Sequence, residues 1–395
     1  MSLGLLLEHE ASTDAKIMEP SPELAQYRDS CGHIRLDNIR GSINLNDHQQ
    51  QTILTEAYAD WVLDDVYLAF ERQTTKTVVR TGSQTMERKY RVLKGRKRGN
   101  DVDTNRVEGQ IRQIHDAVLE FCQEVRPGHA PTSTRAVYVT CTVDPRIVDG
   151  DISQAWAVIA REFNKFLSHL RKRFSTTIAT VQEDGKFGCR VELAKIGVVR
   201  SWESHESGMP HIHAILTFPD FEFGILRDAK KVWRIKERED FRDAWKLGFI
   251  DIQAITRGTS ERAVANTLWY ITKSSTDMDY RLVHDWPRKR KLTQAILWYL
   301  RMRSYSISRF LRDMGDDVAS ARLDCGLCIT QTDLEGLRAI ETDEVWIFLG
   351  LVHRSDTDID RNTWEDWYDE PPDWMESVFR PFGSKRCAWA GGWDN

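Results

Sequence analysis

The sequence predicts an α+β fold built on an antiparallel sheet, and three observations carry that expectation. Alternating apolar side chains mark strands at residues 136–143, 196–203, 210–218 and 249–255. Trp156, Ile159, Ala160, Phe163, Phe166, Leu167 and Leu170 recur at 3- and 4-residue spacing and mark an amphipathic helix over 153–174. The order of the pieces (strand, helix, strand, strand, helix, strand) is that of a ferredoxin-like split βαβ domain.

Each element has its local reason. Asp144-Pro145 stops the first strand, and a short Ser/Gly-containing turn joins 196–203 to 210–218 as a hairpin. Residues 228–245, charged and with Val232, Ile235 and Phe241 toward a core, read as the second helix. Residues 260–273 read as an extra helix with Ser260 at its N-cap. Upstream, apolar patterns at 53–70 and 107–125 predict a mainly helical N-terminal region over 1–130, closed by Pro/Gly punctuation at 127–131. The expected divisions are then a core at 131–280, a basic helical region at 281–329 and an acidic, Trp-containing region at 330–395.

At 395 residues the chain has room for two or three domains of roughly 100–200 residues each. Its 41% hydrophobic and 29% charged residues exclude a disordered or collagen-like chain. The longest apolar stretches, 3–7 and 345–352, fall short of the ~20 residues that cross a bilayer. The opening also lacks the features of a secretory leader, so no membrane partner and a cytoplasmic location are expected. Seven cysteines, an odd number spread along the chain, point to reduced thiols. Cys325 and Cys328 form a C-x-x-C; they are either ordinary buried thiols or part of a zinc site that Cys31, His33 or Cys387 would complete.

The net charge of −5 says little, but its distribution says more. Residues 76–98 hold nine Lys/Arg against one acid, residues 281–312 nine against one, and residues 313–395 seven against 19 acids. Arg288, Lys289, Arg290, Lys291, Arg301, Arg303 and Arg309 are interleaved with Trp286, Trp298, Tyr299, Tyr305 and Phe310. That pattern suits phosphate neutralisation with base stacking, and it equally suits an amphipathic helix with a solvated basic face. The stretch 94–98 reads as a mobile basic loop. The acidic C-terminal region reads as a small partner-binding module or as a segment that folds back on a basic surface.

The sharpest chemistry lies in Pro210-His211-Ile212-His213. Strand alternation places His211 and His213 on one face and Ile212 on the other, so two imidazoles can share one divalent ion. Glu203, on the paired strand, is the best-placed third ligand, with Glu206 and His205 as alternatives in the turn. A second motif, Tyr270-Ile271-Thr272-Lys273, puts a phenol and an ammonium on adjoining faces of the last helix. A neighbouring cation favours the phenolate as a nucleophile toward a phosphodiester.

These motifs, with the strand Tyr138-Val139-Thr140-Cys141-Thr142 ahead of them, resemble the HUH endonuclease superfamily and its rolling-circle replication initiators over about residues 135–275. The resemblance implies an HUH nuclease core that nicks single-stranded or cruciform origin DNA of a plasmid or virus with Mg²⁺ or Mn²⁺. It implies His211, His213 and Glu203 as metal ligands, Tyr270 as the nucleophile leaving a 5′-phosphotyrosine, and Lys273 as the residue stabilising phosphate or phenolate. Tyr270 has Asn266 and Ser274 four residues to either side, the pattern of a single-tyrosine enzyme. The chain contains no Gly-x-x-x-x-Gly-Lys-Ser/Thr loop, so a separate host helicase, with a polymerase, is expected as a partner. The competing readings are a single-tyrosine transposase and a DNA-binding regulator in which the H-x-H strand is purely structural.

Overall fold

The computed structural model describes residues 22–30, 32–78, 83–122, 129–181, 187–256, 268, 279–315, 340–353, 357, 359–360 and 364–372. Among these the helices are α1 (Leu36–Ile39), α2 (His48–Leu63), α3 (Asp101–Leu119), α4 (Ile152–Arg173), α5 (Arg238–Ala244) and α6 (Arg288–Tyr299). The strands are β1 (Val66–Val78), β2 (Ser83–Lys94), β3 (Ser133–Thr134), β4 (Ala136–Thr142), β5 (Thr176–Val181), β6 (Phe187–Glu192) and β7 (Gly197–Ser204). They continue with β8 (Pro210–Thr217), β9 (Phe223–Arg227), β10 (Trp233–Ile235), β11 (Ile250–Ile255), β12 (Tyr305–Ile307), β13 (Ile340–His353) and β14 (Glu365–Tyr368).

The expected α+β architecture is present. Strands pair antiparallel in the order β11-β4-β8-β7, with β12 added at the β7 edge. With α4 between β4 and β7 and α5 between β8 and β11, this is the split βαβ connectivity. Asp151 caps α4 by accepting from the Gln154 N–H, and Arg171, Lys172 and Arg173 occupy its last turn, where cations suit the helix dipole. Its apolar stripe, from Ile152 to Leu170, is buried against Val137, Val139, Ile212, Ala214 and Leu216 on one face of the sheet. The opposite face carries Tyr138, Val199, Ile215 and Ile255, and α3 covers part of it through Val107, Ile111, Ile114 and Val118. Leu268, helical and fully buried, joins this second cluster.

Four expectations need correction. The N-terminal region is not mainly helical: β1 and β2 form a long hairpin whose solvated residues alternate too little in polarity to announce strands. The flanking regions together build a four-stranded sheet in the order β13-β1-β2-β14, so the acidic C-terminal segment supplies strands that pair with the basic hairpin. Residues 228–245 are not one helix. Asp228 accepts from the Val232 N–H, Lys231 takes a left-handed φ of 62°, and the resulting turn joins β9 to β10 ahead of the short α5. Residues 94–98 are no loose loop: Lys94 and Lys97 are buried, Lys94 beside Asp65 and Asp101, and burial pushes the Lys97 ammonium down to about 8. The Tyr270/Lys273 motif and the Cys325/Cys328 pair lie outside the described residues.

Aromatic packing fastens the helices to the sheet beneath the site. Phe218 is fully buried, with ring centroids 4.8 Å from Phe223, 5.7 Å from Phe174 and 6.1 Å from Phe241. Phe218→Ala is expected to cost ~3–5 kcal/mol of unfolding free energy. Phe249→Ala, at a side chain 66% exposed, should stay within ~0.5 kcal/mol. Urea denaturation of both variants checks the contrast.

Candidate metal centre

The registers of β4, β7 and β8 decide which side chains meet. Thr142 and Glu203 both lie opposite His211, and Thr140 and Ser201 both lie opposite His213. All these residues share the sheet face away from α4, because a strand turns alternate side chains to alternate faces. Ile212 and Ala214, between and beyond the histidines, are buried in the α4 core. The hairpin turn is anchored from two helices: Trp156 Nε1 donates to the Gly208 carbonyl at 2.9 Å, and Gln51 Nε2 donates to that of Ser207 at 3.0 Å. Gly208 has φ +97°, and a Cβ there would lie 3.0 Å from Gln51 Nε2 and 3.2 Å from Ile152 Cδ1.

At the head of the hairpin one carboxylate oxygen collects three nitrogens. Glu203 Oε2 lies 2.8 Å from His211 Nε2, 3.2 Å from His213 Nε2 and 2.9 Å from Lys289 Nζ. Glu203, His211 and His213 are only 7%, 3% and 5% exposed, so these contacts operate largely out of water. Burial alone would raise the Glu203 carboxyl, but hydrogen bonds from His211, His213 and Lys289 outweigh it and hold the group far below the usual carboxylate range. Burial, with the positive charges of His213 and Lys289, pushes His211 below its ordinary value of 6.5 despite the Glu203 contact, so it is neutral near pH 7.

A second layer orients the rings. His213 Nδ1 hydrogen-bonds Tyr138 Oη at 2.6 Å and Thr140 Oγ1 at 3.1 Å, which leaves Nε2 facing Glu203. Sequence reasoning identified the β4 strand but not these two roles; its alternation, with Tyr138, Thr140 and Thr142 on one face, carried the signal. Thr293 Oγ1 accepts from the Ser204 N–H, and Lys289, one turn earlier on α6, therefore reaches Glu203. Lys289 was expected at a DNA surface; it sits instead at the centre.

Two imidazole Nε2 atoms and a carboxylate oxygen, all within 4.8 Å of one another, are a donor set that fits a divalent ion. His211 Nδ1 is buried with no hydrogen-bond partner among the described residues, so no protein acceptor there competes for the ring's tautomer. Of the alternative ligands, His205 stacks near His211 at 4.4 Å between centroids but lies outside the converging set, and Glu206 is exposed.

The basic block at 281–312 resolves toward packing. Trp286, Trp298 and Tyr305 are buried, Tyr299 Oη receives the Gly41 N–H, and Phe310 packs near Phe121, so these rings do not present free faces to bases. Arg288 meets Gln51, Arg290 lies over Trp286, Lys291 donates to the His284 carbonyl and Arg301 pairs with Asp37. Arg303 and Arg309 are exposed. A surface that the sequence did not announce lies on the other sheet. Trp346 of β13 and Trp367 of β14, each 40% exposed, flank Arg72 of β1 and Arg91 of β2, whose guanidinium carbons lie 4.8–5.9 Å from the two ring centroids.

Residues 136–275 match the family of the replication-associated protein ORF2, a stretch that starts at the first residue of β4 and contains the whole triad. This match supports a replication initiator role and with it DNA as a partner. No curated protein and no solved structure matches the chain. Among the described residues no helix is long and apolar enough to cross a membrane.

Two outcomes follow from the site's electrostatics. Below the ordinary histidine value the unfolded chain takes up a proton that buried His211 resists, so stability measured in chelator should fall as pH drops from 6.5, and His211→Gln should flatten that segment of the curve. Lys289→Met removes a cation that competes for Glu203 Oε2, so calorimetry should show Mn²⁺ binding tightened by about tenfold, the equivalent of ~1.4 kcal/mol.

Proposed function

We propose that the chain is a rolling-circle replication initiator that nicks and rejoins single-stranded origin DNA by transesterification. The observation that carries this reading is the convergence of Glu203, His211 and His213 on one buried sheet face within the segment that matches a replication-associated family. A Mg²⁺ or Mn²⁺ ion held by these three residues would polarise the scissile phosphate as a Lewis acid.

The remaining roles belong to the chain's own groups. Tyr270 Oη forms a bond to phosphorus while the P–O3′ bond breaks; the phenol's proton passes to solvent and the departing 3′ oxygen takes one up. The downstream strand is thereby left as a 5′-phosphotyrosine and the upstream strand as a free 3′-hydroxyl that can prime synthesis. Lys273 stabilises the phenolate or the phosphate. Because one ester is exchanged for another, attack by the 3′-hydroxyl rejoins the strand without outside energy. Leu268 supports bringing Tyr270 to the histidine face, since it is buried in the cluster that contains Tyr138 and Ile215 of that same face.

Tyr138 and Thr140 position His213, and the basic residues supply phosphate contacts. Arg303 and Arg309 are exposed for that purpose, and the Arg72/Arg91/Trp346/Trp367 surface combines cations with stackable rings for unpaired bases. A separate helicase and polymerase complete the process.

An origin-derived oligonucleotide labelled at its 3′ end tests the chemistry in the presence of Mn²⁺. The label should become covalently attached to the protein, Tyr270→Phe should abolish the adduct, and His211→Ala with His213→Ala should abolish cleavage. An adduct that persists in Tyr270→Phe refutes the assignment of the nucleophile. Trp346→Ala and Trp367→Ala should each weaken binding of single-stranded DNA by ~1–3 kcal/mol without removing cleavage at saturating protein, as read by fluorescence anisotropy.

A further inference from the structure

We infer that His33, Asp64 and His353 form a second divalent-metal site, of the imidazole-rich kind that takes a first-row transition ion such as Zn²⁺, and that it fastens the N-terminal segment to the end of β13. His33 follows the first 3-10 turn, Asp64 is the C-cap of α2, and His353 is the last residue of β13. Segments from opposite ends of the described chain are thus drawn to one point.

The geometry is that of a ligand set. His33 Nδ1 and His353 Nδ1 both point at the same oxygen, Asp64 Oδ2, at 3.1 and 2.6 Å. The two rings are stacked, with centroids 3.9 Å apart and planes 14° from parallel, so they offer the same nitrogen to the same side. All three ligand atoms lie within 4.8 Å of one another. Two neutral imidazoles and one carboxylate are donors characteristic of Zn²⁺ and its first-row neighbours, whereas Mg²⁺ and Ca²⁺ favour oxygen shells.

Each ligand is also held from behind. The His33 N–H donates to Asp29 Oδ1 at 3.0 Å, and its carbonyl receives the Asp29 N–H at 2.9 Å. The Asp64 carbonyl receives Lys97 Nζ, which also reaches the Trp61 carbonyl. His353 is fixed by its register opposite Val66 of β1. Prior fixation of the donors lowers the ordering cost of binding an ion. The nearby charges leave room for a cation: the carboxylates of Asp64, Asp65 and Asp101 face the ammonium groups of Lys94 and Lys97.

This site stands apart from the Glu203 triad and does not depend on the proposed nuclease chemistry. The full chain carrying His211→Ala and His213→Ala isolates it. After equilibration with Zn²⁺ and desalting, this parent should retain one equivalent of zinc by mass spectrometry, and Co²⁺ in its place should give visible ligand-field absorption. Adding His353→Ala or His33→Gln should weaken zinc binding at least tenfold, and chelator should lower the melting temperature of the parent but not of these variants. If neither variant folds, X-ray absorption at the zinc edge of the parent decides. Scattering from two imidazoles supports the site, and its absence overturns it. A parent that retains no zinc, or an equivalent that persists in both folded variants, reduces the cluster to a hydrogen-bonded clasp and overturns the inference.

Discussion

Glu203 Oε2 is a single oxygen held within hydrogen-bonding distance of two imidazoles and an ammonium group in a place where little water reaches. A carboxylate withdrawn from solvent loses hydration that a few well-aimed donors must replace, and removing any one of them leaves charge uncompensated. The three donors come from two strands and a helix, so the site exists only if those elements keep their register and spacing. The same set of charges defines what can occupy the place. An ion that satisfies Glu203 also meets two nitrogens already aimed at it, and it meets Lys289 as a competitor.

Much of the surrounding architecture can be understood as holding that register. A one-residue slip between β7 and β8 would send His211 and His213 into the apolar layer under α4 and bring Ile212 to the wet face. The buried stripe of α4 opposes such a slip, and Trp156 ties the same helix to the hairpin turn at Gly208. On the far side, Thr293 fastens α6 to Ser204, one residue from the carboxylate. Tyr138 and Thr140 fix the His213 ring from β4, and the cluster around Ile215 carries the face onward to Leu268. The second, histidine-containing cluster does comparable work elsewhere, joining the end of α2 to the last turn of the N-terminal segment and the end of β13.

The parts of the fold that were legible in the sequence are those whose faces differ in polarity. Ile212 between two histidines, and the Trp156-to-Leu170 stripe, announce a strand and a helix because each buries one side only. Glu203 was readable as a ligand once its strand was paired with that of His211. The β1–β2 hairpin was not readable, since its positions are polar or solvated on both faces and its partners β13 and β14 lie near the other end of the chain. Charge runs misled in the same way. The Lys94 and Lys97 side chains look solvated in sequence, yet each is buried among polar groups supplied by α2 and by the turns beside it. Lys289, grouped by composition with surface arginines, turns inward because Thr293 sets the rotation of α6. No local pattern carries that information; it resides in pairings between distant segments.

Anomalous diffraction from crystals grown with Mn²⁺ tests the central claim most directly. The account predicts a peak bonded to His211 Nε2, His213 Nε2 and a Glu203 carboxylate oxygen, with Lys289 Nζ moved off that oxygen. A fully occupied peak elsewhere in the chain, with the Glu203–Lys289 contact intact at saturating Mn²⁺, would contradict it.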